Sequence, residues 1–327
     1  MIKKTIFTLT LVPLLFLLSC TSQPQYSDYS TPAVRIAALR GPTAMGLLHL
    51  MDYSEQNLTT NNYIFSLLGS PMEVPPLLVR GDVDVAVVPA NLAAVLYNQM
   101  EGAVQALAVV TLGVLHIVDT TGEIQTIADL AGRTIFVSGQ GATPEFALNY
   151  VLIQNGLTPG VDVLIEFRAE HTELAALLEA GQAEIALLPE PFVSTLMARM
   201  DGLHLALCLT QEWNRVQQDY GLIMSVVVAR RQFVQNNPQA LATLLHEYAA
   251  SIKFMTMQTQ AAAQLAVDFE LIPNTAVGES ALPRTHMVFI TGEEMRQNLD
   301  GFFGVLYDAY PASIGGGLPE ADFFFIP

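Results

Sequence analysis

The chain has 327 residues, of which 51% are hydrophobic and 14% are charged, and its formal net charge is −17. The high apolar fraction excludes an intrinsically disordered chain, and the length is sufficient for roughly two domains of about 150 residues each. The excess of 31 acidic over 14 basic residues excludes a nucleic-acid-binding surface, because neutralising phosphates requires clustered lysine and arginine.

The first residues of the chain have the pattern of an export signal. Lys3 and Lys4 precede an apolar run that ends at Cys20. A basic start, an apolar stretch of about 7–15 residues and a small residue at its end are typical of a secretory signal and not of a membrane-spanning helix. We therefore predict that residues 1–19 are a signal peptide and that the polar residues 20–32 form a tether.

The end of this signal resembles the bacterial lipobox, whose cysteine becomes the lipidated first residue of the mature protein. The resemblance implies an exported protein anchored to the cell membrane by lipid at Cys20, on the periplasmic or outer face. An ordinary signal with a chance cysteine is the alternative. Cys208 is then the only remaining thiol, which excludes an internal disulfide, and its apolar neighbours favour a small core residue.

An internal repeat with a spacing of 100 residues is the most informative feature of the chain. Residues 77–89 align without gaps to residues 177–189, and residues 35–43 match residues 133–144 more weakly. Each stronger copy predicts a helix stopped by glycine, then an acidic residue, an apolar strand and a proline that begins a turn. Each weaker copy predicts a strand, a glycine-containing turn and a helix. Two copies of this unit predict two similar α/β lobes.

Strands that alternate with helical patterns favour mostly parallel central sheets with helices on their faces. Two apolar stretches, residues 104–118 and 221–229, are interpreted as crossover strands that carry the chain to the second lobe and back. We predict that lobe 1 comprises residues 33–113 and 224–327, and that lobe 2 comprises residues 114–223. In such sheets ligands bind beyond the carboxyl ends of the strands, so the loops that follow strands are expected to meet in a cleft.

Four segments carry a family resemblance, and they are residues 81–89, 127–135, 139–143 and 181–191. With the lipobox and the tether, these segments resemble the solute-binding proteins of ABC transporters, which have the type II periplasmic-binding-protein fold. The similar receptors include those for nitrate, alkanesulfonate, taurine and thiamine-pyrimidine precursors. The resemblance covers about residues 34–254 and implies a small-molecule ligand, an ABC permease as partner, a monomer and no cofactor. Residues 40–46 depart from the usual pattern, which leaves the ligand open.

The candidate ligand-binding residues lie in the turns around the predicted cleft. A helix start is predicted at Thr143, Pro144 and Glu145, with Thr143 as its cap, and the N–H groups at such a helix end attract carboxylate, sulfonate or polar heterocycle atoms. Arg40 offers a countercharge in the corresponding turn of lobe 1. The predicted ligand-binding residues are Arg40, Gly41, Pro42, Thr43, Pro89, Asn91, His116, Ser138, Gly139, Gln140, Gly141, Ala142, Thr143, Glu190 and Trp213.

Several of these residues have a purely structural alternative. Glu190 either accepts a hydrogen bond from the ligand, which favours a cationic or amine-bearing ligand, or is a solvated turn residue. His116 either faces the cleft or is a hydrogen-bonded histidine at a strand edge. Trp213 either stacks on a ligand ring or packs against its neighbours. Residues 40–43 and 139–143 either contact ligand or form ordinary strand-to-helix turns.

The sequence lacks the spacings that metal, dinucleotide or nucleophile chemistry requires. The six histidines form no metal-ligand pair, and no cysteine supports them. Gly139 and Gly141 are not a dinucleotide fingerprint, because Pro144 occupies the position of its third glycine. No serine elbow, phosphate loop or cysteine–histidine pair is present in the sequence.

The leading hypothesis is a lipid-anchored receptor, not an enzyme, that traps a small solute between two lobes by hinge closure and delivers it to an ABC permease. One alternative is an enzyme on the same fold, similar to chorismate dehydratase or pyrimidine synthase. The other is the solute-sensing subunit of a signalling system.

Overall fold

Eleven β-strands and thirteen α-helices alternate along residues 33–327, which are the residues that this computed structural model describes. The predicted signal peptide, the lipidation site Cys20 and the tether lie outside the described residues. The strands are β1 (Val34–Leu39), β2 (Tyr63–Leu68), β3 (Val85–Pro89), β4 (Val104–Leu112), β5 (Leu115–Asp119), β6 (Thr134–Ser138), β7 (Leu164–Arg168), β8 (Ile185–Pro189), β9 (His204–Cys208), β10 (Ile223–Arg230) and β11 (Met287–Ile290).

The helices fill most of the intervals between these strands and follow β11. They are α1 (Pro42–Met45), α2 (Leu48–Glu55), α3 (Val74–Arg80), α4 (Ala90–Gln99), α5 (Thr143–Gln154), α6 (His171–Glu179), α7 (Phe192–Met197), α8 (Leu209–Val216), α9 (Arg231–Asn236), α10 (Pro238–Met257), α11 (Thr259–Asp268), α12 (Thr275–Ala281) and α13 (Gly292–Ala309). No helix within residues 33–327 is both long and apolar enough to cross a lipid bilayer.

The strands form two sheets, which confirms the predicted two-lobe α/β architecture. Sheet A has the order β11-β4-β10-β3-β1-β2, and sheet B has the order β7-β6-β8-β5-β9. Lobe 1 denotes sheet A with its helices and the segments beside β11, and lobe 2 denotes sheet B with its helices. The strands of sheet A come from residues 34–112 and 223–290, and those of sheet B from residues 115–208. The residue limits given above for the two lobes stay a prediction.

Both sheets are mixed, which differs from the expectation of mostly parallel sheets. In sheet A, β1 is parallel to β2 and β3, whereas β10 is antiparallel to β3 and β4. In sheet B, β6 is parallel to β7 and β8, whereas β5 is antiparallel to β8 and β9. The chain leaves sheet A along β4 and returns along β10, so these two neighbouring strands must run in opposite directions.

The internal repeat of the sequence is a repeat of strand order. The parallel strands lie in the order β3-β1-β2 in sheet A and β8-β6-β7 in sheet B, and an antiparallel strand borders each set beside β3 or β8. The helix before β3 ends at Gly81 and the helix before β8 ends just before Gly181, with φ values of 75° and 67°. Glycine adopts this left-handed conformation at little cost, which explains how each copy stops its helix.

The apolar residues of the repeat form the core that holds the two lobes together. All five residues of β3 and all five residues of β8 are buried. One hydrophobic cluster contains residues of both sheets, such as Val88 in β3 and Ile117 in β5, so the lobes share part of their core. Helix α10 covers the other face of sheet A with Leu241 and Leu244, and Phe323 is fully buried near the C-terminus.

Candidate functional site

A cavity lies between the two sheets, at the carboxyl ends of all six parallel strands. Its volume of about 50 Å³ suits a small ligand or a few waters. Ligands of open α/β sheets bind at this end of the strands. Lobe 1 lines it with Leu39, Arg40, Pro42, Thr43, Gly69, Pro71, Pro89, Met224 and Ser225, and lobe 2 with Leu115, Gly139, Ala142, Pro144, Ala169, His171 and Pro189.

Six of the fifteen predicted ligand-binding residues line this cavity: Arg40, Pro42, Thr43, Pro89, Gly139 and Ala142. They follow β1, end β3 or follow β6, which is where the turns of the repeated unit were expected to meet. Ligand contact by these residues stays a prediction. The other nine predicted residues lie outside the cavity wall, and most of them hold one lobe against the other.

Arg40 is the cation of the cavity wall. Its backbone N–H donates to the Leu68 carbonyl at 2.9 Å, which ties the turn after β1 to the end of β2. No carboxylate within residues 33–327 forms an ion pair with its guanidinium. The Thr43 hydroxyl donates to the Leu39 carbonyl at 2.5 Å, and Ser225 is buried in the wall beside it. Arg40 is therefore free to meet a negatively charged group of a ligand.

His171 lines the cavity from lobe 2 and was missed by the sequence analysis. It is the first residue of α6, and its Nδ1 is hydrogen-bonded to the Ser138 hydroxyl at the end of β6. Desolvation lowers the pKa of His171 to about 4, so the ring is neutral at pH 7. The Ser138 side chain thus orients a residue of the cavity wall.

The 100-residue repeat itself contained the signal for His171. Gly69 and Pro71 line the cavity from lobe 1, and Ala169 and His171, each 100 residues further along the chain, line it from lobe 2. Extending the gapless alignment upstream of residue 77 would have paired these positions, even though the residue types differ.

Asn91, at the start of α4, bridges to the opposite lobe. Its side chain is fully buried, and its Nδ2 donates to the carbonyls of Gly141 and Ser313 at 3.0 Å each. The Thr143 hydroxyl donates to its Oδ1, also at 3.0 Å. Thr143 was expected to cap α5, but Ala142 occupies the cap position and makes no side-chain hydrogen bond there. The hydroxyl is instead used in the contact between the lobes.

Glu190 makes the corresponding bridge from lobe 2 to lobe 1. Its carboxylate is fully buried and accepts from Arg284 Nε at 2.6 Å and from the Ser194 N–H at 3.1 Å. Arg284 also donates to the Ser194 hydroxyl at 2.6 Å. Glu190 is therefore neither a solvated turn residue nor a residue of the cavity wall. Its carboxylate forms an ion pair with Arg284, which lies near β11.

The two ring residues proposed for ligand contact also lie outside the cavity. Within residues 33–327 neither ring nitrogen of His116 has a hydrogen-bond partner, and burial with nearby Arg284 and His286 lowers its pKa to about 4. Trp213 is fully buried, and its Nε1 donates to the Tyr220 carbonyl at 2.8 Å. Its ring packs 5.7 Å from that of Phe302 in α13, as a core residue between the lobes.

The turns at residues 41 and 140–141 border the cavity without lining it. Gly41 has a φ of 112°, and a Cβ there would lie 3.1 Å from Cε2 of Phe192 in lobe 2. Glycine at this position therefore allows the two lobes to approach closely. Gln140 and Gly141 line an adjacent open groove with Arg168. The described part of the chain contains no group of three or more His, Cys, Asp or Glu placed to hold a metal ion.

Comparison with solved structures supports the two-lobe fold. An ABC transporter protein from Parabacteroides distasonis superposes with a TM-score of 0.72 at 21% identity, covering 90% of this chain and 98% of that chain. The alkanesulfonate-binding protein SsuA from Xanthomonas axonopodis pv. citri, bound to MOPS, has a TM-score of 0.69 at 14% identity, covering 88% and 95%. The periplasmic nitrate-binding protein NrtA from Synechocystis PCC 6803 has a TM-score of 0.57 at 14% identity, covering 78% and 69%.

The match to a protein-family model shows which family the chain belongs to. No curated protein matches the sequence. The family described as "ABC transporter, phosphonate, periplasmic substrate-binding protein" matches residues 50–218, which is more than half of the chain. Its members are binding proteins and not enzymes, in agreement with the expectation from the sequence. The chain belongs to this family of extracytoplasmic substrate-binding proteins of ABC transporters.

Proposed function

We propose that this protein binds a small oxyanion in the cavity between its lobes and delivers it to an ABC permease. The observation that carries the proposal is the position of Arg40, which lines a cavity formed by both lobes and has no ion-pair partner among residues 33–327. An arginine guanidinium recognises carboxylate, sulfonate, phosphonate or nitrate oxygens through charge-assisted hydrogen bonds.

The turn between β6 and α5 supports the same class of ligand. Gly139 and Ala142 line the cavity just before the twelve-residue helix α5, whose first N–H groups carry partial positive charge. The names of the related proteins include phosphonate, alkanesulfonate and nitrate, which are all oxyanions. An oxyanion head group beside Arg40 is consistent with both observations.

Hinge closure is the proposed mechanism of binding. The chain crosses between the sheets from β4 to β5 and again from α8 to β10, and two connections of this kind permit a hinge. A ligand that touches both walls gains its full set of contacts only when the lobes are together, and so shifts an open–closed equilibrium toward the closed form. Small-angle scattering should then record a smaller radius of gyration when ligand is added.

The test of the binding proposal is the substitution Arg40→Ala. Loss of a charged hydrogen bond costs about 2 kcal/mol, so the dissociation constant for an alkanesulfonate should rise by about 10-fold or more in isothermal titration calorimetry. Arg80→Ala is the matched control, because Arg80 lies in lobe 1 but pairs with Asp82 at the surface. Equal affinity of the Arg40→Ala variant and the unaltered protein would contradict an oxyanion site at this position.

Anchoring by lipid at Cys20 is proposed on the resemblance of the first residues to a lipobox. A single lipid chain anchors weakly, so stable attachment requires more than one acyl chain. Cells grown with a labelled palmitate analogue should incorporate label into the protein and not into a Cys20→Ser variant. Label in neither form would contradict the anchor and leave the binding proposal intact.

A further inference from the structure

The residues that line the cavity determine the charge of its wall. Arg40 is the one residue with a formal charge at neutral pH among the sixteen that line the cavity within residues 33–327. The wall otherwise consists of prolines, small residues, aliphatic side chains, two hydroxyl groups and His171. Arg40 is also exposed to solvent, and it is the one full positive charge that the wall presents to a ligand in this cavity.

Among residues 33–327, the nearest surroundings of the wall do not supply a second free cation. Arg168, at the end of β7, donates to Glu166 at 3.2 Å and lies 3.8 Å from Glu173. The carboxylate of Glu170 lies against Gly69 of the cavity wall, where a Cβ would be 2.7 Å from Oε1. The surroundings thus add a negative charge beside the cavity and no second free cation within residues 33–327, which disfavours a second negative charge on the ligand.

Apart from Arg40, His171 is the residue of the cavity wall whose charge decides the net charge of the wall. Its Nδ1 is used by the Ser138 hydroxyl, and its Nε2 has no hydrogen-bond partner within residues 33–327. Because desolvation keeps its pKa near 4, the ring offers a hydrogen bond at neutral pH but no charge. A cationic side chain at this position would double the positive charge of the wall.

We infer that this cavity selects small monoanions over dianions, and that His171, in the cavity wall beside Ser138, is the residue that sets the preference. The inference rests on the proposed function of oxyanion binding at Arg40. A monoanion is neutralised by one arginine, whereas a dianion leaves one buried charge without a partner, which is costly in a site of low polarity. The substrate class is therefore a compact sulfonate, a carboxylate or a singly ionised phosphonate.

The matched ligands ethanesulfonate and ethylphosphonate test this inference, because they differ little in shape and differ in charge. At about pH 9.5, where the phosphonate is almost entirely a dianion, the sulfonate should bind about 10-fold more tightly or better. At about pH 6 the phosphonate gains a proton, so its affinity should rise toward that of the sulfonate while the sulfonate affinity stays unchanged.

Two variants test whether His171 sets the preference for monoanions. In His171→Arg the added positive charge should reduce or reverse the ratio of sulfonate to phosphonate affinity at about pH 9.5. In His171→Gln, which keeps a polar group without charge, the ratio should be retained; a merely structural role would weaken both ligands in both variants alike. Circular dichroism of each variant establishes that it is folded before its affinities are compared.

The outcomes separate this inference from the proposal on which it rests. Equal affinities, or tighter binding of the phosphonate dianion, overturn the preference for monoanions and leave oxyanion binding in place. An unchanged ratio in His171→Arg overturns the role of His171. Binding of neither ligand by the unaltered protein at about millimolar concentration overturns oxyanion binding itself.

Discussion

The two segments that follow the matched strands β3 and β8 connect the lobes by different chemistry. Both strands end in proline, at Pro89 and Pro189, and the next two residues of each segment supply a fully buried polar side chain. Asn91 crosses to lobe 2 through neutral amide hydrogen bonds, whereas Glu190 crosses to lobe 1 through an ion pair with Arg284. Both copies of the repeated unit thus place a buried bridge within two residues of the strand end, but at positions one residue apart and with different charge.

This difference predicts which bridge costs more stability when one of its partners is removed. A neutral amide that loses its partners leaves a few unsatisfied groups, at about 1–3 kcal/mol. A fully buried carboxylate that loses its arginine leaves an uncompensated charge, at about 3–5 kcal/mol. The bridge from lobe 2 is therefore expected to contribute more to the stability of the molecule than the bridge from lobe 1.

The largest effect is expected from Arg284→Met, which removes the partner of Glu190 and keeps a side chain of similar length. The free energy of unfolding should fall by about 4 kcal/mol, because the Glu190 carboxylate is fully buried, and urea denaturation measures it. The double variant Glu190→Gln with Arg284→Met should recover much of this loss, since no unpaired charge remains. A loss below about 0.5 kcal/mol in the single variant would contradict the ion-pair bridge.

The second-largest effect is expected in the pH dependence of stability, and it comes from the buried His116. Its folded-state pKa is about 4, below its ordinary value of 6.5, so the unfolded chain binds the proton first as pH falls. Stability from this residue is present above pH 6.5 and is lost between pH 6.5 and about 4, by about 3 kcal/mol at the low end.

Thermal unfolding of the unaltered protein and of His116→Gln at about pH 7.5 and about pH 5 measures this contribution. The variant should lose less stability between the two pH values, although His171 titrates in the same range and keeps its own share of the loss. Equal losses in the two proteins would show that His116 is not held neutral beside Arg284.

The smallest effect is expected from Asn91→Ala, which breaks the neutral bridge. The loss of three hydrogen bonds of about 3.0 Å should lower the free energy of unfolding by about 2 kcal/mol, with little dependence on salt. Asn298→Ala is the control, because within the described part of the chain the Asn298 side chain bonds only to the Glu294 carbonyl of its own helix. A larger loss than in Arg284→Met would reverse the order of the two bridges.

Much of the fold was predictable because its signals are local. Helix stops at glycine, apolar strands and proline turns each depend on a few neighbouring residues, and their repetition predicted two similar lobes. The direction of the strands near the crossings was not predictable in the same way, because β4 and β10 pair across more than 100 residues of intervening chain. Mixed sheets follow from that pairing.

The candidate site was predictable in part for the same reason. The turns after β1 and β6 were identified from their own residue types, and Arg40 and Gly139 line the cavity. Glu190 and Asn91 were located at the right turns, but their partners lie 94 and 52 residues away along the chain. No local pattern indicates that a buried carboxylate faces Arg284 and not a ligand.

By itself, the sequence determined the repeated α/β unit, the glycine and proline positions that end its helices and strands, and the excess of negative charge. Only the tertiary structure decided which polar groups face the cavity and which join the lobes, because that choice depends on distances between residues far apart in the chain. His171 illustrates this difference between sequence and structure. The 100-residue repeat pairs His171 with Pro71, but only the folded chain desolvates its ring and bonds it to Ser138.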